Sequence, residues 1–500
     1  MNKFSSLLEK SHTIYDLGRA AEVLEWDKEV NMPAGGIEGR SQQITTIRKL
    51  RHEIFVSSEM GDLIEKSAEE IKNLGPNSFE SNLVQYLKES YQKAKKLTSD
   101  YVVRENNLSA NAKFAWIKAR HESDFRQFLP FLKEIVSLYQ EKAELYGYED
   151  HPYDALIDNF DTGAKTKEVI VLFDAFKKEL VALLEKIKNS NKVIDDKFLF
   201  LKYPLEKQKE FAINASKAIG YDYNRGHLAT VVHPFCINFG KNDVRITTRW
   251  NENYLNVGLF MVLHETGHAL YEQGISDTLK RTELCNATSL GIHESQSRMF
   301  ENMVCKSKGF WQKHFKTLKE CFPDALNKID AHMFYCGLNK VKQNFIRVES
   351  DELTYNLHIM FRFELELEML SGKLEAKDVP EAWNQKAFTY LGLKVDKDSN
   401  GCLQDDHWTN PGFGYFPTYT MGNLYAAQFL ETAMLQNHSI KEDLLKGESD
   451  SLLQWLRMNI HQHGKLYTPK QLISNITKAP LSHEPFMRYA YNKYSGIYDF

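Results

Sequence analysis

The stretch Val262-Leu263-His264-Glu265-Thr266-Gly267-His268-Ala269-Leu270-Tyr271 decides how this chain is read. A helix turns about 100° per residue, so His264 and His268 lie about 40° apart around the axis and about 6 Å along it. Two imidazoles so placed can close on one metal ion. Glu265, beside the first of them, can reach a water on that ion without ligating it. Around them Tyr254, Leu255, Val257, Leu259, Phe260, Val262, Leu263, Leu270 and Tyr271 are apolar on nearly every side, as in a helix sunk in a large core. Asn253 or Asn256 is placed to cap its start and Gly274 to end it. Two histidines and a glutamate fill a core poorly unless each finds a partner, which favours a site over packing.

H-E-x-x-H is the mechanistic signature of zinc peptidases: two ligands on one helical face and a general base between them. Such a site needs a third protein ligand and leaves a fourth position open. Glu294, in Gly291-Ile292-His293-Glu294-Ser295-Gln296, is the best candidate, with room before it for a turn near Ser276-Asp277 and an antiparallel return. Ile292, Met299, Phe300 and Met303 give the second helix its apolar face. Glu272 and Glu283 lie closer in sequence. Glu272, four residues past His268, is better placed to support a ligand than to join the pair.

The chain has 500 residues, 42% of them hydrophobic, enough to bury an extensive core. A formal charge of −4 creates no field for nucleic acid or an anionic membrane, so neither is expected as a partner. The opening Asn2-Lys3-Phe4-Ser5-Ser6 leads into an amphipathic pattern rather than a signal core. No apolar run approaches the roughly 18 residues of a membrane span. Cys236, Cys285, Cys305, Cys321, Cys336 and Cys402 form no C-x-x-C pair and read as reduced core thiols of a cytoplasmic protein.

Helical periodicity runs from residue 5 to the break at Asn31-Met32-Pro33-Ala34-Gly35-Gly36, then over about 38–72, 77–106, 108–122, 128–146, 164–191 and 205–218. No repeat or low-complexity linker divides the chain, so one large, mainly α body spanning 1–500 is expected. The exception precedes the motif helix: His233–Phe239, Gly240–Asp243 and Val244–Thr248 read as strand, turn, strand. Asp243, Arg245 and Thr247 share one face of the second strand, which either lines a cleft or faces solvent as the outside of a small hairpin.

Further on, Arg347 precedes Asp351, a cap for the helix starting near Glu352. Spacing alone favours a structural Arg347–Asp351 pair over a guanidinium held for a substrate carboxylate. Gly401–Trp408 leads into an aromatic loop, Phe413–Tyr419, which either packs or brings His407 and a tyrosine hydroxyl over the metal. His461-Gln462-His463 looks metal-like, but its imidazoles point about 200° apart on a helix and read as a helix end. Thr468-Pro469 restarts a helix with a cap and a first-turn proline.

The order His233-Pro234-Phe235, Asp243-x-Arg245-x-Thr247, His264-Glu265-Thr266-Gly267-His268, His293-Glu294-Ser295-Gln296, Ile346-Arg347-x-x-Ser350-Asp351 and Gly401-x-x-Gln404-Asp405-x-His407-Trp408 resembles the thermostable metallocarboxypeptidases of the carboxypeptidase Taq type. Trp26-Asp27, Met32-Pro33 and Tyr467-Thr468 extend the likeness over almost the whole chain. Ser350 stands where alanine is also common. The resemblance implies a helical body with a deep central cleft, similar to neurolysin and angiotensin-converting enzyme, a small β-hairpin or sheet lining the cleft, and a homodimer. It implies zinc, or cobalt, on His264, His268 and Glu294, with Glu265 as general base. It implies release of single residues from peptides with a free C-terminus, with broad specificity. By the same likeness Arg347 reads the terminal carboxylate, which reverses the odds from spacing, and His407 and Tyr419 stabilise the tetrahedral intermediate. Arg245 and His233 are expected against the substrate, Arg245 holding an extended peptide by strand addition. An internally cutting metallo-oligopeptidase and a silent metal-containing peptide binder are the rival readings, and the complete motif with Glu265 speaks against the second.

Overall fold

The computed structural model describes residues 2–76, 78–410 and 412–500. Helices dominate. The first, α1 (Lys3–Val30), ends where Pro33 and two glycines follow. The helix expected over 38–72 is two, Ile37–Phe55 and Ser58–Glu70, because the Ser57 hydroxyl accepts from the Met60 amide at 3.2 Å and starts a new one. The break expected near 107 lies earlier: Thr98 caps the Tyr101 amide at 3.1 Å, and Ser99–Glu122 is one helix that runs through residue 107 without a break. Leu129–Tyr146, Thr166–Asn189 and Leu205–Ala218 match the expected spans to within two residues.

The hairpin is part of a three-stranded sheet. β1 (Leu228–Thr230), not anticipated, runs parallel to β3 (Val244–Thr248), and β2 (Cys236–Asn238) pairs antiparallel with β3, Ile237 opposite Arg245. The expected first strand is shortened because Pro234 has no N–H to give a ladder. Val244 and Ile246 are fully buried on the face toward α2 (Leu255–Gly274). Tyr254 precedes α2 and offers no side-chain cap, so neither Asn253 nor Asn256 takes that role.

Next come α3 (Leu290–Arg298), capped by Ser289, and a π-helical turn over Met299–Val304. They are followed by α4 (Thr354–Leu370), α5 (Phe416–Gln436) and the terminal helix α6 (Glu484–Tyr498). Two glycines allow the crossings that matter. A Cβ on Gly267 would lie 2.5 Å from the Ser297 Cα, and one on Gly422 would lie 2.7 Å from the Glu294 Cγ. Thus α2 and α5 both reach the backbone distance of α3 that a larger residue forbids. Among the described residues no helix is long and apolar enough to cross a membrane, and all six cysteines are free.

Candidate metal centre and catalytic cleft

The crossing of α2 and α3 brings three donors together. Glu294 Oε2 lies 3.7 Å from His264 Nε2 and 3.5 Å from His268 Nε2, and the three donor atoms fall within 4.8 Å of one another. No other His, Cys, Asp or Glu group of this kind occurs among the described residues. Each ligand is held from behind. His264 Nδ1 faces Glu301 Oε2 at 2.9 Å, and His268 Nδ1 faces the His293 carbonyl at 3.1 Å, so both Nε2 lone pairs are free to point at the centre. Glu294 Oε1 accepts from Arg298 Nε at 2.6 Å and Oε2 from Ser297 Oγ at 3.2 Å. Two imidazole nitrogens and one carboxylate oxygen, oriented and buried, fit zinc or cobalt with a position left for solvent.

Glu272 does act in support, at one remove. It lies 3.2 Å from His293 Nε2, and the His293 ring stacks on His268 at 4.2 Å. Its other oxygen accepts from Asn238 of β2 at 2.5 Å. Glu283 is elsewhere, paired with Arg51 at 2.8 Å. Glu301 sits seven residues after Glu294, on the same helical face, a spacing that signals its role once Glu294 is known. The π-helical turn carries it there, as such turns often do near sites.

Burial, reinforced by Glu294 and Glu301 against the opposing His264, pushes the Glu265 carboxyl up to about 7. A carboxyl beside the metal position can both take and return a proton. Burial works against a charge on Glu294, but Arg298 and His264 outweigh it and hold the carboxyl well below the usual range.

A cleft of about 500 Å³ opens at the ligands, lined among others by Phe260, His264, Glu294, Arg347, Tyr355 and Tyr419. Arg347 is not fixed by Asp351. Its Nε and Nη2 donate to Asp405 Oδ1 at 3.0 and 2.8 Å, its Nη1 to the Tyr355 hydroxyl at 2.9 Å, and its backbone N–H to Gln404 at 2.9 Å. Arg362, fully buried, donates to the other Asp405 oxygen at 2.6 Å. Two guanidiniums share one carboxylate, so the wall keeps an uncompensated positive charge beside Tyr419, whose ring is 5.0 Å from the Arg347 guanidinium. Asp351 caps α4, accepting from the Leu353 and Thr354 amides at 2.9 and 3.1 Å. Tyr419 lies in the first turn of α5 rather than in a loop, and its hydroxyl is 3.1 Å from His407 Nε2. Burial and the neighbouring Arg347 lower His407 to about 4, so its ring is neutral at physiological pH.

Two expected substrate residues are not brought to this cleft. Arg245 is doubly bonded to Asp243, at 2.7 and 2.8 Å, and lies over the Phe239 and Trp26 rings. His233 is exposed, and its neighbour Pro234 and Arg249 line the cleft instead. Behind the ligand helices a second hollow of about 460 Å³ has Arg19 and Glu22 of α1 facing Glu272 and His293. His461 is a core histidine, bonded to Gln296 at 2.8 Å and stacked on Tyr271.

Residues 6–494 match the family model of the carboxypeptidase Taq (M32) metallopeptidases. The chain belongs to that family. Like its relatives, it is a metallocarboxypeptidase. It is 38% identical to thermostable carboxypeptidase 1 of Thermus thermophilus, over 99% of each chain. It is 36% identical to carboxypeptidase 1 of Bacillus subtilis, over 99% of this chain and 98% of that one. The solved M32 carboxypeptidase of Deinococcus radiodurans superposes with a TM-score of 0.96 at 34% identity, over the full length of both. The mainly helical fold with its small sheet is the family's fold.

Proposed function

We propose that this M32 carboxypeptidase releases single residues, with broad specificity, from peptides with a free C-terminus, that its whole chain acts as one domain, and that zinc is the metal on His264, His268 and Glu294. The observation that carries the reading is the convergence of those three donors, two of which, His264 and Glu294, line the same cleft as Arg347. A divalent cation held there supplies Lewis acidity, acidifying water and polarising a carbonyl. Glu265 takes the proton of the water that attacks the scissile carbonyl and hands it to the departing amine. The Tyr419 hydroxyl, with His407 behind it, donates to the oxygen that gains charge, worth about 3 kcal/mol when well aimed. Arg347, held rigid by Asp405, Tyr355 and Gln404, receives the terminal carboxylate on its remaining N–H groups.

Arg245 and His233 have the weaker claim to substrate contact, since neither lines the cleft. The six free thiols fit a reducing, cytoplasmic setting, and the family resemblance extends to a homodimer, which sedimentation tests. The decisive experiment is mass spectrometry of one unblocked peptide incubated with zinc-loaded enzyme. A ladder of one-residue losses from the C-terminus is expected, and equal cleavage of the amidated peptide would overturn the exopeptidase reading in favour of internal cutting.

A further inference from the structure

The helix Ser99–Glu122 buries one face and leaves the opposite one bare. Tyr101, Ala112, Trp116 and Ala119 are buried. On the outer face Val103, Phe114 and Ile117 are 57%, 78% and 51% exposed, and Ala110 is exposed between them. At 100° per residue these four fall within about 60° around the axis, one apolar file about 21 Å long. Exposed apolar residues scattered singly need no explanation, but a file on one helix face does. No residue of this helix lines the metal cleft or the hollow behind the ligand helices, so the file serves neither.

The file is complementary to itself about a two-fold axis at Ala110. When two copies lay these helices antiparallel there, residues equally far on either side of Ala110 meet: Val103 packs on Ile117 of the second copy, and Phe114 lands on Asn106 and Asn107. The smallest side chain of the file then falls where the two backbones come closest. The charges match as well. Asp100 and Lys118 lie along one edge of the face, on opposite sides of Ala110, so each Asp100 comes opposite a Lys118 of the second copy. Both are available for it. Asp100 is 84% exposed, and its neighbour Arg104, 3.3 Å away, is already committed to Glu141 through bonds of 3.0 and 2.5 Å. Lys118 is exposed, with no carboxylate partner among the described residues. A parallel pairing would instead set Asp100 on Asp100 and Lys118 on Lys118.

We infer that the outer face of Ser99–Glu122 is a docking surface for a second copy of this chain, the two helices antiparallel with Ala110 on the dyad. A 24-residue helix is about 36 Å long, and two laid face to face bury on the order of 1,200 Å², the lower end for a specific interface. The dimer is therefore reversible, with a Kd in about the micromolar range. Asp100 and Glu122 border the face beside Lys118, a mixture of signs that suits a protein surface and repels an anionic bilayer.

Sedimentation velocity of the full-length protein across a dilution series tests the association, and cysteine cross-linking tests the register. Phe114→Glu should raise the dimer Kd about thirtyfold or more, since the change occurs twice in the pair. Asp100→Lys should raise it about tenfold, and Asp100→Lys with Lys118→Asp should restore it, because the swapped pair is again complementary. All three positions are exposed, so the variants are expected to fold, with circular dichroism and melting temperature matching the wild type. With a short bis-maleimide, Ala110→Cys should link to itself, and Val103→Cys should link to Ile117→Cys in a mixture of the two variants but not to itself. Mass spectrometry of the linked peptides separates these products from any link through the native cysteines. A protein that stays monomeric at high concentration, a dimer that Phe114→Glu leaves intact, or a Val103→Cys self-link as strong as the mixed one overturns the inference.

Discussion

Replacing Asp405 with asparagine probes the part of the cleft that no motif spacing explains. The carboxylate takes three N–H bonds from two guanidiniums, at 2.6 to 3.0 Å, in a setting where Arg362 is fully buried and Arg347 is 5% exposed. Asparagine keeps the shape but removes the one counter-ion that both arginines have among the described residues and turns an N–H toward one of them. Breaking one partner out of a buried pair costs about 3–5 kcal/mol, against 1 kcal/mol or less for an exposed pair, so the larger figure applies here. Urea unfolding at constant m reads it as a shift in midpoint. Burial opposes the charge on Asp405, but Arg347 and Arg362 outweigh it and hold its folded pKa well below the usual carboxylate range. A depressed folded pKa contributes stability above the unfolded value of about 4 and loses it as pH falls further. The deficit of the variant should therefore persist at pH 5 and narrow only below about pH 4. Adding Arg362→Met to Asp405→Asn removes one stranded cation and should recover part of the loss. A midpoint change equivalent to less than about 1 kcal/mol would refute the view that this carboxylate anchors Arg347.

Four further outcomes are expected. Glu265→Gln should retain zinc in metal analysis and lose turnover; activity near wild type removes Glu265 from the mechanism. Glu301→Gln should lower metal affinity about 10- to 100-fold in a chelator competition, because a neutral amide replaces the carboxylate that orients His264 and raises its basicity. Arg347→Ala should reduce kcat/KM for free C-termini far more than for amidated peptides, and an equal loss on both assigns the arginine a structural part. Asp161, buried beneath Ser289 at 3.0 Å, has a carboxyl pushed up by burial to about 7. A raised folded pKa means that stability falls as pH rises from the unfolded value near 4 toward 7. Asp161→Asn should thus stabilise the protein by up to about 4 kcal/mol at pH 8 and by little at pH 4, read from urea midpoints at the two values.

The chain's own order of residues was enough to point to the candidate metal centre. His264 and His268 are four apart on a helix whose apolar surround marks it as buried, and that local geometry needs no partner element to be read. The helical body and the strand-forming stretch before the motif were legible for the same reason, since periodicity is a property of neighbours in sequence. Helix boundaries were less so: Ser57 and Thr98 start new helices through single hydroxyl caps that periodicity does not register. What only the tertiary structure decided is which distant groups meet. Glu294 reaches the two imidazoles because Gly267 lets α3 cross at backbone contact, and β1 joins the sheet by pairing with a strand that follows it in the chain. Arg347 illustrates the division. Spacing pointed to Asp351, four residues away, yet the guanidinium turns to Asp405, which a 58-residue excursion of chain delivers to it. Pairings of that kind depend on the packing of whole elements, and a charge selects the partner that is buried beside it rather than the one that is near it in sequence.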